Sequence, residues 1–146
     1  MVVKMLFSKN IFLVVALFIT LIPFQSLARI EWTLAGGTAK YEIFVDITSL
    51  KRDDDIVFSR ELFKYAEKRK TKDSMEYQSV ILYVLYDCLK NQSSILRMTF
   101  HEDAYGESDV ISEYQPSQMK WDAVRENSQS SSTMDIACNG TSLKVS

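Results

Sequence analysis

Residue types that signal catalysis, metal binding or membrane insertion are scarce in this 146-residue sequence, which has one histidine, two cysteines, four glycines and two prolines. One histidine gives a catalytic triad or a multi-histidine metal site at most one imidazole, and no GxSxG or CxxC motif is present. We therefore predict no enzymatic activity, no cofactor and no bound metal. Paired carboxylates that hydrolyse glycosides have no sequence signature, so that alternative stays open.

The charge balance argues against a nucleic-acid-binding protein. The chain has 17 basic and 19 acidic residues, and two of the basic residues but none of the acids lie in residues 1–28. The remainder, residues 29–146, therefore has a formal net charge of about −4, without the basic excess expected of a nucleic-acid binder. Its length suits one domain.

The N-terminal segment has the three parts of a secretory signal. Two lysines and no acid precede the apolar run Ile11–Ile22, whose twelve residues are fewer than the roughly 20 that cross a bilayer. Ser26 and Ala28 then place small side chains where a signal peptidase accepts them. We predict that residues 1–28 are a signal peptide, with an uncleaved anchor as the alternative. Export would leave a periplasmic or secreted protein, not lipid-anchored because no cysteine lies at this junction.

Alternating apolar and polar residues predict strands in most of the remaining chain, with no long amphipathic helix between them. The sheet should therefore be an antiparallel meander within an α+β fold. The triplet Asp53-Asp54-Asp55 lacks the spacing of a calcium loop and predicts a hairpin turn. The six predicted strands are 31–34, 41–47, 56–65, 78–88, 96–101 and 109–114.

A short helix is predicted over Thr133–Cys138, with Ser132 as its N-cap. In an exported domain Cys88 and Cys138 favour a disulfide over a zinc or redox pair. Closing a loop of about 50 residues is worth on the order of 4 kcal/mol in the chain-entropy model. The bridge would place the helix on the strand face of Val80, Leu82, Val84 and Tyr86, which has the same parity as Cys88.

The order of several motifs resembles the surface-adhesin protein E-like family over Glu31–Asn139. Trp32 follows the signal peptide, and the segment FVDITSLKRDDDIV spans Phe44–Val57. A long strand then ends in YDC at Tyr86–Cys88, and a tryptophan and a late cysteine follow. The resemblance implies a curved antiparallel sheet of about six strands, with a C-terminal helix held by the disulfide on the concave face.

The resemblance also implies a role in binding, because the founding member is a bacterial outer-membrane lipoprotein that binds host extracellular-matrix and plasma proteins. We therefore expect a non-enzymatic protein that binds a host protein or an envelope component. The alternative is a periplasmic accessory or inhibitor protein with no host target. The oligomeric state stays open.

The densest charge cluster lies between two predicted strands, where we expect a protruding loop. This cluster is a candidate docking patch for an acidic partner, and a merely solvated loop is the alternative. The sheet face away from the helix is the second candidate surface. We assign partner binding to Lys64, Lys68, Arg69, Lys70 and Lys72.

Two other groups of residues are interpreted structurally. His101, Glu102 and Asp103 are expected to be exposed polar residues of a strand, since no second histidine could complete a metal site. The aromatic residues, including Trp32, Tyr83 and Tyr86, are expected to lie mostly in the core.

Overall fold

The computed structural model describes residues 29–140, so the predicted signal peptide and its cleavage site lie outside the described residues. Within that range the chain forms eight strands followed by one helix. The strands are β1 (Trp32–Thr38), β2 (Tyr41–Asp46), β3 (Lys51–Asp53), β4 (Ile56–Lys70), β5 (Glu76–Asp87), β6 (Gln92–His101), β7 (Val110–Tyr114) and β8 (Asp122–Ala123), and the helix is α1 (Gln129–Gly140).

All strand pairs are antiparallel, as predicted, and the main path across the sheet is β1-β2-β4-β5-β6-β7. The prediction of about six strands missed β3, which pairs with β4, and β8, which pairs with β6. These strands have three and two residues, too few for a periodic signal. The hairpin turn predicted at Asp53-Asp54-Asp55 is confirmed at Asp54 and Asp55, with Asp54 at a φ of 52°, whereas Asp53 is the last residue of β3.

The helix α1 begins four residues earlier than predicted. Ser128, not Ser132, is its N-cap, because the Ser131 N–H donates to Ser128 Oγ at 3.2 Å. Serine is a weak former of helix interiors, so the sequence showed no strong helical pattern here. The Ser128 cap satisfies a free N–H of the extra turn, and buried Thr133, Met134 and Ala137 pack the rest of the helix against the sheet.

The core lies between α1 and one face of the sheet. Buried Met134 and Ala137 of the helix join buried Val84 and Tyr86 of β5, with Leu82 packed against them. The Cys88–Cys138 disulfide is present, so the predicted bridge and the helix-bearing face of β5 are both confirmed. We call this face of the sheet the covered face and the opposite one the open face.

Candidate binding surfaces

A single row of large polar and aromatic side chains crosses the open face. Trp32 of β1 lies opposite Asp46 of β2, Arg60 of β4 lies opposite Tyr83 of β5, and Tyr83 lies opposite Arg97 of β6. Residues directly opposite on neighbouring strands share a face, and an ion pair between Arg60 and Asp46 connects the two halves of the row. We call Trp32, Asp46, Arg60, Tyr83 and Arg97 the open-face row.

Cation–π contacts order the arginines of the row. The guanidinium of Arg60 lies 5.7 Å from the Trp32 ring centroid, and that of Arg97 lies 5.0 Å from the Tyr83 centroid. Arg97 Nε also lies 3.3 Å from Oε1 of Glu113 on β7. Because these side chains are already held in place, a partner would find a pre-organised surface of the residue types that dominate binding hot spots.

Asp46 lies between Trp32 and Arg60 in the row and is itself fully buried. Its carboxylate accepts hydrogen bonds from Thr48 N–H at 3.0 Å, Thr48 Oγ1 at 2.7 Å and Glu31 N–H at 3.2 Å, besides those from Arg60. Burial alone would raise the pKa of Asp46, but the bonds from Thr48 and Arg60 outweigh it and lower that pKa. The ionised carboxylate of Asp46 therefore holds the Arg60 side chain in place.

The loop after β6 folds back over one end of the open face. The carboxylate of Asp103 accepts hydrogen bonds from the backbone N–H groups of Tyr105, Glu107 and Ser108. Burial would raise the pKa of Asp103, but these hydrogen bonds outweigh it and lower that pKa. Gly106, at a φ of 70°, lies so close to Ile81 that a Cβ would approach within 2.5 Å. Only glycine allows this loop to close so tightly.

The expectation that His101 is an exposed residue of a strand is wrong. His101 is buried under that loop, with Nε2 2.9 Å from Thr99 Oγ1 and Nδ1 2.8 Å from the Ser108 carbonyl oxygen. Both ring nitrogens therefore have partners inside the fold, and the residue is structural. Within residues 29–140, no group of three histidine, cysteine or acidic side chains could hold a metal ion.

The five cations assigned to partner binding lie in a strand rather than in the protruding loop that we expected. Four of them belong to β4, which continues to Lys70, and only Lys72 lies in the turn before β5. Beyond a bulge after Lys64, Arg69 and Lys70 pair with Tyr77 and Glu76. Main-chain bonds extend the hairpin here, although its side chains are exposed and polar.

Acidic and aromatic neighbours compensate much of this positive charge. Lys64 Nζ lies 2.8 Å from Glu42 Oε2, which raises the pKa of Lys64. Lys68 lies 3.4 Å from Glu102, and Lys70 lies 3.9 Å from Glu76. The guanidinium of Arg69 lies 4.8 Å from the ring centroid of Tyr65. The cations therefore form a mixed-charge ridge rather than a strongly positive patch.

The covered face contains an ionisable group with no cation beside it. Glu61 is 3% exposed, and its Oε1 accepts a hydrogen bond from the Tyr86 hydroxyl at 2.6 Å. That hydroxyl also lies 2.6 Å from Thr133 Oγ1 of α1, so a hydrogen-bonded chain joins sheet to helix. Burial is the main cause that raises the pKa of Glu61 to about 7, and burial also raises the pKa of Tyr86.

The sheet face away from the helix was predicted as a candidate surface, but the open-face row on it was not, and both of its aromatic residues were expected in the core. Tyr86 is fully buried, but Trp32 and Tyr83 are only half-buried. The predicted strands did include Arg60, Tyr83 and Arg97, although the alternation of side chains assigns a face only within a single strand. Their alignment, however, depends on pairing registers that the sequence does not contain.

The fold and its surfaces define a class of protein: an open antiparallel sheet with a disulfide-tethered helix on one face. The surface-adhesin protein E family model matches residues 32–139, and the chain belongs to that family. No curated protein matches the chain. Among residues 29–140, no helix is long and apolar enough to span a membrane.

Solved structures of protein E have the same fold. One structure of the Haemophilus influenzae protein is 14% identical, covers 77% of this chain and 93% of its own, and gives a TM-score of 0.55. A second structure, of protein E from non-typeable Haemophilus influenzae, is 13% identical, covers 74% of this chain and 81% of its own, and gives a TM-score of 0.54. At such identities the likeness establishes the shared fold alone.

Proposed function

We propose that this chain is an exported, non-enzymatic adhesin-like protein that binds a host matrix or plasma protein, or a component of the cell envelope. The open-face row is the observation that supports this function best. No helix or second sheet lies on this face within residues 29–140, and its tryptophan, tyrosine and arginines are of the types enriched at binding hot spots. In this proposal the five cations lie at the edge of the same surface, and the support for Lys64 is that its Nζ lies 4.8 Å from the ring centroid of Tyr105 in the loop over the open face.

The row and the cations should contribute to binding in different ways. The pre-organised aromatic and arginine side chains would supply most of the affinity, because burying them costs little ordering entropy. The cations are exposed and partly paired, so they would influence the association rate and its dependence on salt more than the affinity.

The experiment is a capture assay with the oxidised chain immobilised, tested in parallel against host matrix and plasma proteins and against envelope extract. We expect Trp32→Ala and Tyr83→Ala each to weaken capture by about 30-fold, which corresponds to about 2 kcal/mol. Leu89→Ala, a change at the 72% exposed side chain of the β5–β6 turn, is the matched control and should leave capture unchanged. Equal capture by all three variants would refute the open-face assignment.

A periplasmic accessory or inhibitor role is the second candidate, favoured by the lack of a cysteine at the predicted cleavage site. Protease treatment of intact cells separates the two. An adhesin should be cleaved on intact cells once the fold is weakened by reductant, whereas a periplasmic protein should stay intact until the outer membrane is opened.

A further inference from the structure

A cleft of about 650 Å³ lies on the covered side of the sheet, away from the open-face row. Its floor is formed by Ser93 and Ile95 of β6, and its walls by the connection from Tyr114 to Ser128 and by Ser130 of α1. Ile95 is placed on the covered side because it lies opposite the core residue Val84. The helix therefore covers only part of this face and leaves the β6 end open.

The outer edge of β6 has a gap in its pairing at this cleft. β7 pairs with Met98–His101, and β8 pairs with Gln92 and Ser93. Between them no strand of residues 29–140 pairs with Ser94–Arg97 on that side, although β5 pairs with the inner edge. Over four residues, or about 13 Å, the outward main-chain donors and acceptors of β6 thus have no ladder partner.

Apolar side chains surround this gap. Ile95 is 38% exposed, Tyr114 is 50% exposed and Met119 is 58% exposed, and all three line the cleft. Natural sheets usually protect an open edge with charged residues or a covering loop. Here the connection between β7 and β8 does not pair with Ser94–Arg97, and the three apolar side chains beside this unpaired stretch are exposed.

The charges at the rim differ in how they are paired. Lys120 Nζ lies 2.8 Å from Asp122 Oδ1, so these two residues neutralise each other. Arg125 also lines the cleft, and no carboxylate within residues 29–140 forms an ion pair with it. An occupant with a negative group at one end would complement this arginine.

We propose that this cleft binds a short extended peptide segment of a partner protein, which adds a strand to β6 along Ser94–Arg97. Its apolar side chains would contact Ile95 and Tyr114, and an acidic side chain or a C-terminal carboxylate would pair with Arg125. An extended peptide complements the edge because its main chain offers alternating donors and acceptors at the strand spacing. The bulge at Leu96, where β6 has one more residue than β5, bends the edge and favours a guest of about four residues.

The test uses hydrogen exchange on the full oxidised chain. The probes are hexapeptides that alternate Thr with Val, Ile or Tyr and end in Asp with a free carboxylate. At peptide concentrations up to about 1 mM, a range that detects weak binding, we expect slower exchange at the amides of residues 94–97. Exchange at Trp32, Arg60 and Tyr83 of the open-face row should stay unchanged.

Matched controls identify the main-chain and charge contributions. The same peptides with alternate amides N-methylated cannot form the ladder, so we expect their affinity to fall by about tenfold or more. Ile95→Lys should lower the peptide affinity by a similar factor. Arg125→Gln, or a peptide with an amidated C-terminus, should lower the affinity by about threefold to tenfold. Leu89→Lys adds the same charge at an exposed apolar position outside the cleft and should change nothing.

Three results would overturn the proposal: no protection at residues 94–97 with any probe, equal binding of the N-methylated peptides, or protection that grows with protein concentration and without peptide. The last would assign the edge to a second copy of this chain. The proposal can fail separately from the proposed function, because Trp32→Ala should weaken partner capture at the open face by about 30-fold and leave peptide binding intact.

Discussion

The two faces of the sheet use the same strands for different purposes. The covered face buries Val57, Val84 and Tyr86 under α1, and the disulfide holds the helix there. The open face has a row of half-buried aromatic rings and arginines instead, ordered by ion pairs and cation–π contacts. Changes under α1 should therefore alter stability, and changes in the open-face row should alter capture of the proposed partner.

The largest effect is expected for loss of the disulfide. The double substitution Cys88→Ala and Cys138→Ala removes a cross-link over 50 residues and should lower the free energy of unfolding by about 4 kcal/mol. Denaturant unfolding of the wild type with and without reductant provides the check. A loss below about 1 kcal/mol would mean that packing alone holds α1 on the covered face.

The second effect concerns Glu61, whose neighbours Val45, Leu82, Tyr86 and Thr133 include no cation. Its folded-state pKa of about 7 exceeds the unfolded value of 4.5, so the folded state binds the proton more tightly. Its contribution to stability is complete below pH 4.5, declines as the pH rises to about 7 and is absent above that. The free energy of unfolding should thus be about 3 kcal/mol lower at pH 8 than at pH 4.5 because of this group.

The substitution Glu61→Gln tests whether ionisation of Glu61 causes this pH dependence of stability. The amide has no ionised form, so the variant should be more stable than the wild type at pH 8 and should lose most of the pH dependence. Denaturant unfolding at several pH values measures both quantities. The matched control is Glu113→Gln on the open-face side, which should preserve the wild-type slope; an unchanged slope in Glu61→Gln would assign the pH dependence to other groups.

The smallest effect on stability is expected on the open face. Arg97→Gln removes the ion pair with Glu113, in which both side chains are more than 40% exposed. Such pairs contribute about 0–1 kcal/mol, so unfolding should hardly change, while partner capture should weaken measurably. A stability loss comparable to that of the disulfide variant would show that the open face also supports the fold.

Local patterns in the sequence predicted those elements that local physics controls. The two cysteines indicated the bridge between Cys88 and Cys138, and the parity of Cys88 indicated which side chains of β5 face the helix. The end of β4 was not predictable in this way. Residues after Tyr65 have no apolar alternation, and main-chain pairing with Tyr77 and Glu76 extends the strand to Lys70.

Burial of His101 illustrates the same division. In the sequence it is one polar residue in an alternating strand, which is typical of an exposed side chain. It is buried because the following loop, ordered by Asp103 and allowed by Gly106, folds back over it. That outcome depends on contacts between residues that no periodic pattern records.

By itself, the sequence determined an antiparallel α+β domain, the cysteine pair and the face on which the helix lies, because strand parity and two thiols act through short-range rules. Only the tertiary structure decided the alignment of Trp32, Arg60, Tyr83 and Arg97 into one row, and the gap along Ser94–Arg97. Both depend on strand registers and on bulges such as the one at Leu96. An inserted residue shifts every later pairing, so these features arise from the assembled sheet.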